Sequence, residues 1–210
     1  MTVFSIYRLL AVLTFAIFAT NATATPIITF DESSGTSAFN NRQNVGWRFD
    51  VLDPINVAAL GWYDEGLDGL GAEHQVGIWD ATGNLLVSAL VPGGAIAGLD
   101  DVYRRVNISE LHLDVGRGYI VGGLNVDDSI DRLASNVDQV VDSSIRFVSA
   151  TFSLPTTNLE RPTLSSTAAS GFYGPMFFVA NVPLPSTILL LMVGIVGLGA
   201  SRKRPGFDLG

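Results

Sequence analysis

The sequence predicts an all-β protein: a single β-sandwich domain, of jelly-roll or immunoglobulin-like type, flanked by an N-terminal signal helix and a short C-terminal transmembrane helix. Two observations lead to this prediction. The middle of the chain alternates apolar and polar residues in short segments separated by turn residues, with no convincing amphipathic helix. Each end of the chain is instead a continuous apolar run. These two runs account for the positive mean hydropathy of +0.37.

The N-terminal segment, residues 1–24, has the three parts of a secretory signal peptide. Arg8 precedes an apolar run over residues 9–18, and the segment ends in the A-x-A sequence formed by Ala22 and Ala24. The run is short and ends in small residues rather than in a helix cap, which argues against a buried first helix. We predict that signal peptidase cleaves after Ala24.

Residues 25–181 are the predicted β-sandwich domain. The firmest local prediction is a β-hairpin, because Val76 and Ile78 precede the turn-forming residues 80–84 and apolar residues alternate from Leu85 to Val91. Further strands are predicted around Trp47, Phe49 and Val51, around Ile55 and Val57, around Val106 and Ile108, around Tyr119 and Val121, and over residues 145–154. These segments fit a sandwich of about eight to ten strands.

Two segments near the end of this domain are less regular. Residues 155–170 are rich in Ser, Thr, Pro and Ala, which predicts a long loop or linker. Residues 171–181 are either a last strand or an apolar lead-in to the membrane run. We favour the strand, because Pro183 and Pro185 separate it from that run.

The C-terminal region, residues 182–204, has three parts. An uncharged apolar run over residues 186–200 lies between a proline motif and a basic cluster, which consist of Val182, Pro183, Leu184 and Pro185, and of Arg202, Lys203 and Arg204. As a helix the run reaches about 22 Å, against about 30 Å of hydrocarbon in a bilayer. The positive-inside rule keeps the basic cluster in the cytoplasm, so the middle domain lies outside, as the signal peptide also requires.

This tail resembles the PEP-CTERM sorting signal of Gram-negative bacteria. In that family an exosortase, a multi-pass transpeptidase-like protease of the inner membrane, recognises the signal, and many substrates are linked to exopolysaccharide production and biofilm. The resemblance implies an exported protein that passes through the inner membrane and then reaches the cell surface or the extracellular space. Leu184 stands where the family's motif has Glu, and residues 205–210 extend past the basic cluster.

The middle region resembles a β-sandwich domain of unknown function that recurs in PEP-CTERM proteins and in larger bacterial secreted proteins. The resemblance covers about residues 27–180 and depends on the motifs at residues 46–49, 59–64, 74–80, 83–86 and 174–175. No established active site comes with it.

Composition excludes several classes of chemistry. The chain has no cysteine, so it has neither disulfides nor thiolate sites, and 20 acidic against 12 basic residues give a net charge of −8 that repels nucleic acid. His74 and His112 lack partners at metal-binding spacing, and no P-loop, G-x-S-x-G or G-x-G-x-x-G motif occurs. We therefore assign no catalytic residue, cofactor or metal. We expect His74 to be hydrogen-bonded at a sheet corner and His112 to face solvent.

Carboxylates offer the strongest case for an enzyme, since a glycosidase needs an acid and a base at a fixed separation. The candidates near one loop are Asp64, Glu65, Glu73 and Asp80. A second set of carboxylates could ligate Ca²⁺ through loop oxygens, although it lacks the spacing of a calcium-binding loop; it consists of Asp100, Asp101, Asp127, Asp128 and Asp131. Carboxylates on an acidic domain commonly serve solubility, so an enzyme remains the minority alternative.

Aromatic residues suggest another alternative. Trp62 and Tyr63 precede a Gly-rich acidic loop, where flat rings could form a sugar-binding platform for exopolysaccharide, or they could belong to the core. Trp47 and Trp79 alternate with core positions and are interpreted as structural. The main hypothesis is thus a non-enzymatic surface or matrix protein with a structural or adhesive domain, and the alternative is a carbohydrate-binding module.

Overall fold

Antiparallel β-strands joined by loops make up most of the described chain. A computed structural model describes residues 24–31, 35–37, 42–126, 131–168 and 170–180, which belong to the unit Ala24–Ala180. In chain order the strands are β1 (Ala24–Pro26), β2 (Ile28–Phe30), β3 (Thr36–Ser37), β4 (Gln43–Val51), β5 (Ile55–Tyr63), β6 (His74–Trp79), β7 (Leu85–Val91), β8 (Gly98–Asp100), β9 (Tyr103–Leu113), β10 (Gly116–Asn125), β11 (Leu133–Ala134), β12 (Gln139–Val141), β13 (Ile145–Pro155), β14 (Leu164–Ser165) and β15 (Pro175–Ala180).

These strands form two main sheets and two small ones. One main sheet has five strands in the order β1-β15-β5-β9-β8, and the other has six in the order β14-β13-β4-β10-β6-β7. The pairs β11-β3 and β12-β2 are separate two-stranded sheets. The prediction of a β-rich chain is confirmed as a mostly β structure with several antiparallel sheets.

One aromatic-rich core contacts both main sheets. Trp47 and Phe49 alternate along β4, as the sequence predicts, and both side chains are buried. They meet Phe177 of β15, with ring centroids 5.5 Å and 5.0 Å apart respectively. Because successive residues of a strand point to opposite faces, every second residue of β4 contributes to this core. Full burial of one such ring stabilises the fold by about 1.5–3 kcal/mol.

The predicted hairpin is confirmed, because β6 and β7 pair in antiparallel fashion. Asp80 organises its turn: the carboxylate accepts hydrogen bonds from the backbone N–H groups of Thr82 and Asn84, at 2.9 Å each, and from both side chains. Gly83 has φ +99°, a conformation that favours glycine. The sequence therefore encodes this hairpin locally, through its turn chemistry and its alternating strands.

The other strand predictions are also confirmed. Residues around Val106, Tyr119 and 145–154 lie in β9, β10 and β13. Residues 175–180 form β15, which lies between β1 and β5, so the last segment before the tail is a strand. The described residues contain fifteen strands rather than eight to ten, and seven of these strands are two or three residues long.

The segment predicted as a loop or linker is packed against the six-stranded sheet. Residues 156–163, called the strap below, cross the face of that sheet opposite the core. Asn44 of β4 holds them: its side chain donates to the carbonyl oxygen of Asn158 at 2.9 Å and accepts from the N–H of Glu160 at 3.2 Å. Pro162 lies against Gly122 of β10, where a Cβ would be 2.7 Å from the proline ring.

Two apolar side chains are buried on the face of the sheet that the strap crosses. Trp79 and Ile120 are opposite each other in β6 and β10 and point away from the main core, yet they are 4% and 0% exposed. The sequence predicted a long loop or linker over residues 155–170. Residues 156–163 are a loop, as predicted, and Leu164–Ser165 form the short strand β14. The composition did not predict that this loop docks on the sheet through Asn44 and Pro162.

Candidate functional site

The loop between β5 and β6, residues 64–73, is where the sequence places most of the candidate functional residues. It contains a short 3₁₀ turn, Glu65–Leu67, and three residues with positive φ, namely Gly66, Leu67 and Gly69. Residues 65–68 are exposed, whereas Asp64 and His74 at its two ends are buried. The geometry of the loop therefore depends on these two end residues.

Asp64 fixes the start of the loop through a buried ion pair. Its Oδ2 accepts a hydrogen bond from Nε of Arg104 at 2.7 Å, and the two side chains are 1% and 9% exposed. Asp64 also accepts from the N–H of Gly69, and Arg104 donates to the carbonyl oxygens of Leu67 and Ala97. A buried charge pair costs little when its remaining groups are satisfied in this way.

His74 fixes the end of the loop. Its Nε2 lies 2.8 Å from Oδ2 of Asp131, and its Nδ1 lies 3.1 Å from the carbonyl oxygen of Leu124. A neutral imidazole carries one N–H and satisfies one of these acceptors, whereas the doubly protonated ring satisfies both. The ring also stacks on Trp62, at 3.9 Å between centroids and 4° between planes. The expectation of a hydrogen-bonded histidine agrees with this geometry.

Asp131 connects the loop to the distant segment that follows β10. Besides His74, it accepts hydrogen bonds from the N–H groups of Gly71 at 2.8 Å and Ala72 at 3.1 Å. Burial alone would raise the pKa of Asp131. The hydrogen bonds from His74, Gly71 and Ala72 outweigh burial and hold that pKa below its usual value. An ionised Asp131 thus clamps the end of the loop.

The sugar platform predicted at Trp62 and Tyr63 requires a correction. Trp62 is 0% exposed and Tyr63 is 1% exposed, so neither ring offers a face to a ligand. The Trp62 ring fills a space that glycines leave open, since a Cβ on Gly123 or on Gly174 would lie 2.6 Å from it. Trp62 and Tyr63 belong to the core, which was the other interpretation of these two residues.

Three of the four candidate acids serve separate local structures. Asp64 is in the buried pair with Arg104, Glu65 lies 3.7 Å from Arg132 at the surface, and Asp80 holds the hairpin turn. Glu73 and Asp80 stand at opposite ends of β6, and a six-residue strand is about 20 Å long. That separation exceeds the about 5–9.5 Å between the paired carboxyl groups of glycosidases.

Asp100, Asp101 and the second histidine are each at least partly exposed. Asp100 accepts a hydrogen bond from Arg105 at 2.6 Å, and Asp127 and Asp128 lie outside the described residues. His112, 57% exposed, faces solvent as expected, beside Asn56 and Asp114. Within the described part of the chain, no group of three His, Cys, Asp or Glu residues is placed to hold a metal ion.

Sequence reasoning missed Arg104 altogether and considered Asp131 only as a calcium ligand. Their partners are 40 and 57 residues away in the chain, and no local pattern marks either residue. The two pairs hold the loop in one conformation and leave its exposed residues for contact with other molecules.

The last strand leads directly into the C-terminal tail, because β15 ends at Ala180. Residues 181–204 match the family described as PEP-CTERM protein-sorting motif. The chain carries a PEP-CTERM sorting motif. The PEP-CTERM motif includes the predicted proline motif, the apolar run 186–200 and the basic cluster, and Leu184 in place of Glu does not prevent the match. It implies an exported protein that is sorted to the cell surface and processed by an exosortase.

The PEP-CTERM match covers the tail, and the β-rich region lies outside it. Searches of curated proteins and of solved structures gave no match. The predicted signal peptide up to residue 23, including Ala22, and the tail from residue 181 onwards lie outside the described residues, and Ala24 is the first residue of β1. In the described ranges, no helix has the length and apolar character needed to span a membrane.

Proposed function

We propose that this chain is an exported, non-enzymatic surface or extracellular-matrix protein whose PEP-CTERM motif delivers a structural or adhesive β domain. The observation that carries the proposal is the motif at residues 181–204, which begins directly after the last strand. The signal peptide predicted on residues 1–24 directs the domain to the same side of the membrane.

The domain holds its first and last strands side by side. Ala24 of β1 pairs with Ala180 of β15, and Thr25 pairs with Val179, in an antiparallel register. Cleavage after Ala24 leaves Thr25 and Pro26 in this pairing, so the processed domain keeps its first strand. The tail therefore follows a strand that belongs to the folded domain and that pairs with the first strand of the processed chain.

The way the candidate acids are used supports a role without catalysis. Asp64 is neutralised by Arg104 inside the domain, and Asp80 is saturated by the groups of its own turn. Neither carboxylate is placed to transfer a proton to a sugar bound at the surface. We also propose that the domain uses no cofactor.

For the fold we propose a β-sandwich, of the jelly-roll or immunoglobulin-like type predicted from the sequence. The contacts of Trp47 and Phe49 on the six-stranded sheet with Phe177 on the five-stranded sheet support face-to-face packing. Sandwiches of this kind bury every second residue of their long strands in one shared core, as β4 does here.

For the route we propose signal peptidase and an exosortase as processing partners, with residues 186–200 held in the inner membrane during sorting. The final location is the cell surface or the biofilm matrix, where exopolysaccharide is the abundant polymer. A carbohydrate-binding function would need a surface other than Trp62 and Tyr63, because both rings are buried.

Cell fractionation tests the role of the tail. The full chain should be found in the membrane and surface fractions of its native host, and a chain ending at Asn181 should be released into the periplasm or medium. A control chain lacking residues 205–210 keeps the whole PEP-CTERM match and should behave like the full chain. Equal distribution of the full chain and the Asn181 truncation would contradict the proposal.

Glycan hydrolysis tests the absence of catalysis. The full chain should release no reducing sugar from the host's exopolysaccharide. Hydrolysis that disappears in Glu73→Gln would overturn the proposal, and this exposed position allows the substitution without disturbing the core.

A further inference from the structure

One edge of the six-stranded sheet is long and has no partner strand in the described part of the chain. This edge is β7, seven residues that pair with β6 on one side. At the other edges, β1 is three residues long, and β8 and β14 pair with only three residues of β9 and two residues of β13. The rest of β9 and of β13 therefore has no partner on that side in the described ranges, but those parts contain the charged residues Glu110 and Arg146. A long edge is a template for another strand, and a charged residue on it discourages such pairing.

The residues of β7 do not protect this edge. Proteins commonly block an open edge with a charged residue or a proline, and Leu85–Val91 contains neither. Leu86 and Leu90 are 37% and 46% exposed, on the face away from the core. Val87 and Ala89 point the other way and pack against the core. The edge is therefore apolar, uncharged and held in an extended conformation.

We propose that β7 pairs with β7 of a second copy of this chain, antiparallel and centred on Ser88. The sequence from Leu86 to Leu90 has nearly the same pattern in both directions, with a leucine at each end and Ser88 in the middle. A two-fold axis at Ser88 therefore places Leu86 opposite Leu90 of the second copy, and Val87 opposite Ala89. The two six-stranded sheets join into one continuous sheet.

Charge also favours this edge as the contact between copies. Each chain carries a net charge of −8, so two copies repel each other over most of their surfaces, and β7 itself contributes no charge. One strand pair of about 23 Å makes a smaller contact than the about 800 Å² per partner of a standard interface. The pairing is accordingly weak, and sorting of many chains to one surface promotes it by raising their local concentration.

The absence of cysteine from the chain makes disulfide trapping a direct test. Opposed residues of an antiparallel pair have Cα atoms about 4.5–5.5 Å apart, within the range that a disulfide needs. Ser88→Cys in the full chain should give a covalent homodimer on mild oxidation. Ser109→Cys on β9, which is also exposed on a strand, is the matched control and should give none.

A charge-swap pair tests the register in the Ser88→Cys background. Leu86→Lys with Leu90→Lys places like charges opposite each other and should abolish the covalent dimer. Leu86→Lys with Leu90→Glu places opposite charges together and should retain it. Both positions are exposed, and circular dichroism of each variant verifies that the domain is folded.

Three results would overturn the proposal: equal dimer from Ser88→Cys and Ser109→Cys, equal behaviour of the two charge variants, or adducts of Ser88→Cys with other proteins in place of a homodimer. Disulfide trapping is measured on the full chain, in whichever cell fraction contains it. Its failure therefore leaves the sorting function untouched.

Discussion

Asp131 is the residue on which the geometry of the 64–73 loop depends most. It receives hydrogen bonds from the His74 ring and from two backbone N–H groups of the loop, and its own side chain is 7% exposed. Removing one member of a buried pair leaves the other polar groups without partners, which costs more than the pair itself contributes.

Asp131→Ala should therefore lower the free energy of unfolding by about 3 kcal/mol. Urea denaturation followed by tryptophan fluorescence measures this change, because Trp62 stacks on His74. The matched control is Asp114→Ala, which removes a carboxylate that is 86% exposed beside His112 and should leave stability unchanged within error. Equal denaturation midpoints for the two variants would show that the clamp is unimportant.

Acid should destabilise the domain through carboxylates whose pKa the fold lowers. The side chains of Asn84 and Thr82 lower the pKa of Asp80 from 3.8 to about 2, and the pKa of Asp131 is also lowered. A group with a lowered pKa in the folded state stabilises the fold fully above its unfolded pKa. That contribution is lost as the pH falls through the folded pKa.

The free energy of unfolding should therefore decrease from about pH 4 to about pH 2, and Asp80→Asn should make this decrease smaller. Asp53→Asn removes the same charge from an exposed turn and is the control. Denaturation midpoints measured across this range give the comparison. An acid profile of Asp80→Asn that is as steep as that of the parent chain would refute the explanation.

Among single residues, the sequence predicts those of the turn and the core but not the buried pairs that hold the 64–73 loop. Trp47, Phe49 and Asp80 show their roles in a local pattern, because their neighbours in sequence are also their neighbours in the strand or turn. Asp131 has its partners far away in the chain. Trp62 looked like a surface ring because the glycines that make room for it, such as Gly123, lie on other strands.

The role of the strap cannot be predicted from its amino-acid composition. Asn44 is 0% exposed and satisfies both Asn158 and Glu160 of the strap with one amide group. Trp79 lies on the same outer face of the sheet and is 4% exposed.

Asn44→Ala should detach the strap and lower the free energy of unfolding by about 2 kcal/mol, since two partly buried hydrogen bonds, each worth about 1 kcal/mol, are lost. Hydrogen exchange should become faster over residues 156–163 and at Trp79. Asn56→Ala, which removes the amide beside the exposed His112, is the control and should leave exchange in the strap unchanged. Unchanged exchange of the strap in Asn44→Ala would show that other contacts hold it.

Strands such as β7 and β13 were predictable because their residues alternate between more and less buried positions, whereas β4 is buried on both faces. β5 departs from this pattern after a bulge between Val57 and Ala59, and all of its residues from Ala59 to Tyr63 are buried. Strands of two residues, such as β11 and β3, give no periodic signal, because their pairing depends on the surrounding fold.

For the whole molecule, the C-terminal tail was the most predictable part, since its proline motif, apolar run and basic cluster are local features of composition, and this prediction is confirmed. The signal peptide, predicted from the same kind of local feature, stays a prediction. The β-rich domain raises two separate questions, its secondary structure and its role. Its β-rich character follows from alternation and turns, whereas the free edge of β7, where we propose pairing of two copies, arises from strand order. Strand order brings together residues from distant parts of the chain, so sequence reasoning did not reach it.

Sorting by the tail is the central claim, and intact-mass spectrometry of the protein from its native host tests it most directly. We predict a species in the surface or medium fraction that lacks residues 1–24 and everything beyond the region of Pro183 to Pro185. A chain in which both prolines are replaced by alanine should retain the tail. A mass that ends at Gly210, found solely with the inner membrane, would contradict the account, because the tail would then be a permanent anchor.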